Sequence, residues 1–400
     1  MFMRSISWAL LAQFVVIALT LFGSQTSSQF EQVSQISDRS LDPVDSGHAI
    51  VMSFDLSPDG KLLSVLVTEG PKLGPLWSVT LDASSKHIVA SRKLGPSVWP
   101  TSAFLHQVQY SSDQRYLVVQ DLQDIRVLDA SSLQVLRNIP APPKASRQAP
   151  LFIAGASKTD VLLCAFGSGE RPKYGLQPTP VQVELVDVSS GKLLGTWESK
   201  DVPQAISPNG DLVLVSSWGV PNHWLVVPLA VFDKNGAKVA DLDDGFSFSK
   251  SEKNPKPLGR VLGRFLGEQE IVVVPDQHLD DKGHHSGDSI KVLSLSGHSS
   301  QKTFRPDRFS PTGRLQISDD GNSILVNSFY IPPAVLANPH GARNGGDGEL
   351  FVISPNPNLH LASTIPIDSL TQDVRVSSDG SVIAIRHYNR DITILKKNRQ

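Results

Sequence analysis

One unit recurs along most of the chain and constrains its fold more than any other feature: an apolar segment, a turn of the Ser-Pro-Asp-Gly type, and a second apolar segment. The clearest copy is at 54–63, with the turn Ser57-Pro58-Asp59-Gly60. Pro presets φ, Asp bonds to its own backbone and Gly accepts a positive φ, so such a turn joins two antiparallel strands. With two degenerate copies included, the turns start at residues 57, 111, 156, 207, 266, 318 and 377.

Each repeat also contains a second strand pair, whose turn follows an Asp at the strand end. The strand 183–187, for example, ends in Asp187 and precedes the turn 189–191. We interpret this Asp as structural, because its carboxylate can accept hydrogen bonds from the turn backbone. Four strands per repeat, seven times over, predict an all-β fold, a seven-bladed β-propeller of four-stranded antiparallel blades. The blade units are expected to begin near residues 50, 103, 150, 202, 260, 313 and 372.

The seventh repeat lacks a fourth strand, because little sequence follows the strand 391–396. The segment 30–37 alternates as a strand does. A propeller must join its first and last blades to remove exposed strand edges. We therefore predict that 30–37 is the outer strand of the last blade, within a single propeller domain that spans 25–400.

The repeat resembles those of the WD-repeat and YVTN-type propellers over residues 30–396. The resemblance lies in the strand-turn-strand unit with Ser-Pro-Asp-Gly and in the strands that end in an apolar residue and Asp. The Trp-Asp dipeptide of that family is absent, and Gly47-His48 is the one Gly-His pair just ahead of a first strand. The resemblance implies the propeller architecture and leaves the subfamily open.

The N-terminus has the pattern of a secretory signal peptide. Arg4 precedes an apolar stretch at 8–22, and a polar, uncharged run follows at 23–29. We predict a signal peptide at 1–24 and a secreted or periplasmic protein. The alternative is an uncleaved membrane anchor, although the stretch is shorter than the roughly 20 apolar residues that span a bilayer. Contact with a membrane is expected in that case alone.

The rest of the composition excludes several classes of partner and site. A formal net charge of −2 and the lack of a concentrated basic run argue against nucleic acid as the partner. Cys164 is the single cysteine, so the chain forms no internal disulfide, and we expect this side chain to pack as a small hydrophobe. No phosphate-binding loop, CxxC pair or HExxH sequence occurs. We expect a monomer.

Long connections predict where a ligand binds. The connections between second and third strands, and between one blade and the next, emerge on the same face of a propeller. The longest are 167–180, 218–228, 243–259, 275–289 and 330–348. Long loops on a rigid scaffold are where binding residues concentrate. The predicted binding residues are aromatic or His side chains near these connections: Trp99, Trp218, His223, Trp224, Phe246, Phe248, Tyr330, His387 and Tyr388.

Two of these assignments have an alternative. Trp99 and Trp218 lie near strand ends, where a Trp often covers the end of a core. Exposed aromatics gathered on one face would instead form a contact surface for a protein or a carbohydrate.

One connection has the composition of a metal site. His and carboxylate side chains together suit Zn²⁺, and several carboxylates on a Gly-containing loop suit Ca²⁺. The alternative is a solvated polar loop without a metal, because the spacing matches no known ligand motif, and no other cofactor is predicted. The candidate ligands are Asp276, His278, Asp280, Asp281, His284, His285 and Asp288.

The leading functional hypothesis is an exported, non-enzymatic propeller that binds a protein or glycan through its long-loop face. The competing hypothesis is a hydrolase or lactonase-like enzyme, with acidic and His residues at the mouth of the central channel and with or without a metal. Convergence of three or more such side chains would favour the enzyme, because acid-base and metal chemistry require it.

Overall fold

The structure is a computed structural model. It describes most of the strands and turns of the predicted repeats. The described residues are 29–41, 49–69, 74–96, 106–120, 124–143, 145–168, 181–200, 202–216, 229–242, 260–276, 289–296, 300–306, 311–330, 347–367, 373–387 and 391–398.

These residues form 28 β-strands and one short 3-10 helix, Asp38–Leu41. The strands of the first three blades are β2 Ala49–Leu56, β3 Leu62–Glu69, β4 Pro75–Asp82 and β5 Ile88–Pro96; β6 Gln107–Tyr110, β7 Tyr116–Gln120, β8 Ile125–Asp129 and β9 Val135–Ile139; and β10 Ala145–Gly155, β11 Val161–Ser168, β12 Val181–Asp187 and β13 Leu193–Ser199.

The remaining blades follow the same order. Blades 4 and 5 are β14 Val202–Ile206, β15 Leu212–Ser216, β16 Leu229–Asp233 and β17 Lys238–Leu242; and β18 Arg260–Leu266, β19 Glu270–Asp276, β20 Ile290–Ser294 and β21 Ser300–Phe304. Blades 6 and 7 are β22 Pro311–Ile317, β23 Ile324–Tyr330, β24 Asp347–Ser354 and β25 His360–Ile367; and β26 Asp373–Val376, β27 Val382–Arg386 and β28 Ile392–Lys397 with β1 Phe30–Ile36.

The strands form seven four-stranded antiparallel sheets. The first strands of the blades contact one another in chain order, from β2 through β6, β10, β14, β18 and β22 to β26, and β26 contacts β2. This ring confirms the predicted seven-bladed β-propeller.

The N-terminal strand completes the last blade. β1 pairs with β28, with Phe30 opposite Lys397 and Ile36 opposite Ile392. Phe30 and Ile36 are buried, so the strand packs into the core as well as pairing along its edge. The predicted closure by an N-terminal strand is therefore confirmed.

The Ser-Pro-Asp-Gly turns have one hydrogen-bonding pattern. The buried Oγ of Ser57 accepts the N–H of Leu62 at 2.8 Å and donates to Asp59 at 2.7 Å. The serine thereby fixes both ends of the turn. The same bond to the N–H five residues further on occurs at Ser111, Ser207, Ser318 and Ser377.

These turns also lock neighbouring blades together. The N–H of Ser378 in blade 7 donates to the Pro58 carbonyl in blade 1 at 2.8 Å. Gly210 in blade 4 has φ +82°, and a Cβ there would lie 2.7 Å from Cβ of Val161 in blade 3. A residue without a side chain is needed for so close an approach.

The Asp residues at the ends of third strands hold the other turns, as predicted. Asp129 Oδ1 accepts the N–H groups of Ser131 and Ser132 at 3.1 and 2.8 Å. Hydrogen bonds from these serines, from their hydroxyls above all, lower the pKa of Asp129 to about 2. Asp82, Asp187 and Asp233 bind their turns in the same way.

The hydrophobic core lies between adjacent blades. Each cluster of buried side chains draws on two neighbours; one joins Val127 of blade 2 to Phe166 and Cys164 of blade 3. Cys164 is fully buried, which confirms that it packs as a small hydrophobe, and burial raises the pKa of its thiol. Among the described residues, no helix is both long and apolar enough to span a bilayer.

The two ends of the propeller differ in their connections. We call the end with the first-to-second and third-to-fourth strand connections the turn face, and the opposite end the loop face. Turn-face connections are short, as at 57–61 and 130–134. Loop-face connections include 217–228, 243–259 and 331–346.

Candidate functional site

Most of the predicted binding and metal-binding residues lie outside the described residues. For Tyr330 and Asp276, which end β23 and β19 at the loop face, the structure describes the backbone but not the side chain. The assignments of residues outside the described ranges stay predictions, as does the signal peptide at 1–24. The residues outside the described ranges are Trp99, Trp218, His223, Trp224, Phe246, Phe248, Tyr388, His278, Asp280, Asp281, His284, His285 and Asp288.

His387 is the predicted binding residue whose side chain the structure describes. It follows β27 at the loop face and is half-buried. Its Nε2 lies 2.8 Å from Thr393 Oγ1, and its N–H donates to the Asp391 carbonyl at 2.9 Å. His387 therefore bridges the connection between β27 and β28, which gives it a structural role at the edge of the loop face.

The loop-face connections start and end on rigid strands. In blade 4, the connection 217–228 joins β15 to β16, and Val213, Leu214 and Val231 on these strands are fully buried. Buried strands fix the two ends of such a connection, so its side chains are presented from a stable frame.

A set of polar side chains on and beside the first strands forms a second candidate site, around the central channel. Asp55 on β2 accepts the N–H of Tyr110 in blade 2 at 2.8 Å, and its other oxygen lies 3.4 Å from Nε of Arg375 in blade 7. Arg375 Nη1 is 2.7 Å from Asp373 Oδ1. One carboxylate and one guanidinium thus connect three blades across the closure of the ring.

The environment of Asp55 changes its acidity. Its side chain is 14% exposed, and loss of solvent on burial raises its pKa from 3.8 to about 6. The Arg375 charge and the N–H of Tyr110 oppose that rise and do not cancel it. A pKa of about 6 lies near the range in which an acid-base group is useful.

Similar contacts continue around the channel. Gln109 Oε1 accepts the N–H of Gly155 at 2.9 Å, and Gln204 Oε1 accepts that of Gly263 at 2.9 Å. Arg386 donates to the Val51 carbonyl at 2.7 Å. We call Asp55, Gln109, Gln204, Arg375 and Arg386 the inner belt. Each of its side chains reaches a neighbouring blade, so the inner belt holds the ring together.

Sequence reasoning missed the inner belt, although a signal was available. Asp55, Gln109 and Arg375 each stand on a first strand, two residues before a turn serine. A polar residue at one fixed position of a repeat indicates a shared structural role.

The described residues give no metal centre. Within the described ranges, no group of three or more His, Cys, Asp or Glu side chains is placed to hold a metal ion. The predicted metal-binding loop lies outside these ranges, apart from the backbone of Asp276. The metal assignment and the hydrolase hypothesis therefore stay predictions.

The comparisons with known proteins add no family. No protein-family model matches the sequence, and no curated protein matches it. The expected relation to WD-repeat or YVTN-type propellers stays a prediction, and the seven-bladed arrangement itself carries the functional argument.

Proposed function

We propose that the protein is an exported, non-enzymatic scaffold that binds a protein or a glycan through its loop face. The observation that carries the proposal is the difference between the two ends of the propeller. Short turns close one end, and the connections of variable length all emerge at the other, as at 217–228 and 331–346.

At the turn face, carboxylates take part in the hydrogen bonds that shape the turns. Asp59, Asp113 and Asp379 each accept a hydrogen bond from the serine that opens their own turn. Burial opposes ionisation of these carboxyl groups, but hydrogen bonds from the serines and from the turn backbone outweigh it and lower the three pKa values. A ligand that binds these three carboxylates would have to compete with the bonds that shape the turns.

The loop-face connections have the side chains that interfaces use. The connection 217–228 contains Trp218, His223 and Trp224 within a short stretch of sequence. Trp supplies a large apolar surface and one N–H donor, and it is enriched among residues that dominate binding energy. Planar aromatic side chains also stack on sugar rings, so the same surface suits a glycan.

Site-specific cross-linking tests the face that binds. Cys164 is fully buried, so a cysteine introduced at the surface is labelled selectively. Asp124→Cys places a benzophenone-maleimide probe at the loop face of blade 2, where the side chain is 46% exposed. Ser131→Cys places the same probe on an exposed turn of the same blade, at the turn face, and serves as the matched control.

Both labelled variants are irradiated with the extracellular and envelope fractions of the source cells, and unlabelled protein is screened on a glycan array. A product from the Asp124→Cys variant that is absent with Ser131→Cys supports loop-face binding, as does a glycan signal that is lost in Trp218→Ala/Trp224→Ala. Products from the turn-face probe alone would contradict it. The absence of any cross-linked product and of any glycan-array signal would also contradict it.

Export is tested separately. The mass of the protein recovered outside the cytoplasm should correspond to a chain that starts near residue 25. Retention of the full-length chain in the cytoplasm would refute export and leave the binding face to be judged by the cross-linking result.

A further inference from the structure

A groove lies in the outer wall of the propeller between blades 5 and 6. It has a cavity volume of about 410 Å³, within the range of small-molecule sites. One side is the end of β21, the outer strand of blade 5, and the other is the β24–β25 pair of blade 6. Its main lining residues are Phe304, Arg305, Glu349, Phe351, Leu361 and Thr364.

The floor of the groove is apolar. Phe351 is 3% exposed, and Phe304 is packed against the hydrophobic cluster between these two blades. Leu361 lies at the edge and is 40% exposed, which is high for a leucine beside a groove. An apolar group seated here would remove the exposed surface of Leu361 from water.

Two opposite charges lie in the same groove without neutralising each other. Arg305 is exposed and Glu349 is half-buried. Within the described part of the chain, neither side chain forms an ion pair or a hydrogen bond, whereas surface pairs such as Lys238–Asp241 close to 3.0 Å. The guanidinium of Arg305 and the carboxylate of Glu349 thus keep their bonding capacity for a ligand.

From this arrangement we infer that the groove binds a short zwitterion of the amino-acid type with an apolar side chain. The ligand carboxylate pairs with Arg305, whose planar guanidinium can hold two carboxylate oxygens at once. The ligand ammonium pairs with Glu349, and the apolar side chain covers Phe304 and Leu361. Arg305 begins the connection between β21 and β22, so the groove lies at the loop-face end of the outer wall, and none of its lining residues is one of the predicted aromatic or His binding residues.

A free amino acid and a short peptide share this chemistry, and ligand length distinguishes them. Calorimetric titration of the purified full-length protein with leucine, Leu-Phe and Leu-Gly-Phe should show one preferred spacing between the two charges. N-acetyl-Leu-Phe lacks the ammonium, and Leu-Phe-amide lacks the carboxylate. Removal of either charge should weaken binding about tenfold, the value of one charge-assisted hydrogen bond.

Two variants assign the charges to their partners. Arg305→Gln should weaken Leu-Phe and N-acetyl-Leu-Phe about tenfold and leave Leu-Phe-amide unchanged, because the amide has no carboxylate to lose. Glu349→Gln should weaken Leu-Phe and Leu-Phe-amide and leave N-acetyl-Leu-Phe unchanged. Arg92→Gln, an exposed arginine on the outer strand of blade 1, should change none of these affinities.

Thermal midpoints equal to that of the parent protein show that the variants are folded. Absence of heat with all three zwitterions at millimolar concentration would overturn the inference. It would also be overturned if Arg305→Gln weakened the amide as much as the free dipeptide, since Arg305 would then not meet the carboxylate.

Discussion

Replacing Asp55 by Asn should change how the stability of the protein depends on pH. Asn retains an oxygen that can accept the N–H of Tyr110, and it removes the buried charge opposite Arg375. Arg375 keeps Asp373 as its second partner, 2.7 Å away. The substitution therefore isolates the titration of one carboxyl group in the inner belt.

The expected change in the free energy of unfolding with pH follows from the pKa of Asp55. Burial raises it from 3.8 to about 6, so the folded protein holds a proton that the unfolded chain releases. The stabilising contribution is fully present below pH 3.8 and is lost as the pH rises through 6. Since a tenfold change in an equilibrium constant is about 1.4 kcal/mol, the total is about 3 kcal/mol, of which about 2 kcal/mol falls between pH 4.5 and 7.5.

Urea unfolding of the parent protein and of Asp55→Asn, at several pH values in this window, measures the effect. The difference in free energy of unfolding between the two proteins should change by about 2 kcal/mol in favour of the variant as the pH rises. Asp59→Asn is the control. The pKa of the Asp59 carboxyl group is lowered, so the contribution of Asp59 to the free energy of unfolding changes below pH 4. The difference in free energy of unfolding between this variant and the parent protein should therefore stay constant in the window. A flat curve for Asp55→Asn as well would refute the reasoning.

Three further predictions concern the ring and its core. Deletion of 25–38 should lower the thermal midpoint by more than about 10 °C, because it removes the closing strand and exposes the edge of β28. Circular dichroism measures the midpoint, and an unchanged value would contradict closure of the ring by β1. Gly210→Ala should lower the free energy of unfolding by about 2–5 kcal/mol, because of the positive φ and the contact with Val161. Gly267→Ala, which has open space at φ +74°, should lower it by about 1 kcal/mol. Equal decreases in urea unfolding would contradict a role for the Val161 contact. Cys164 should not react with Ellman's reagent until the protein unfolds, since it is fully buried and the pKa of its thiol is raised; rapid reaction in the native state would disprove this.

The architecture could be predicted because its determinants are local and repeated. Ser57 and Ser377 stand at the same place in their turns, and the bonds they make are within five residues of each serine. Such patterns are visible in sequence, and their spacing located even the degenerate copies near 156 and 266. The missing strand of blade 7 could be found for the same reason, since a closed ring leaves no strand edge unpaired.

The candidate sites could not be predicted in the same way. Asp55 and Tyr110 are 55 positions apart, and no local pattern shows which backbone group a channel side chain will reach. Arg305 and Glu349 come from different blades, and the packing of those blades alone brings them to one groove. Aromatic and His residues in the long connections can be recognised by type, but their positions depend on loop conformation rather than on the repeat.

The closure of the ring sets an order of events during synthesis. Gln35 and Asp391, which are hydrogen-bonded beside the closing pair of strands, are 356 positions apart. Among the described strands, β1 is synthesised first and its partner β28 last. Six blades can form from contiguous sequence before β28, the strand that pairs with β1, has been synthesised. Because pairing over so long a separation is slow, we expect the pairing of β1 with β28 to be the last step of folding.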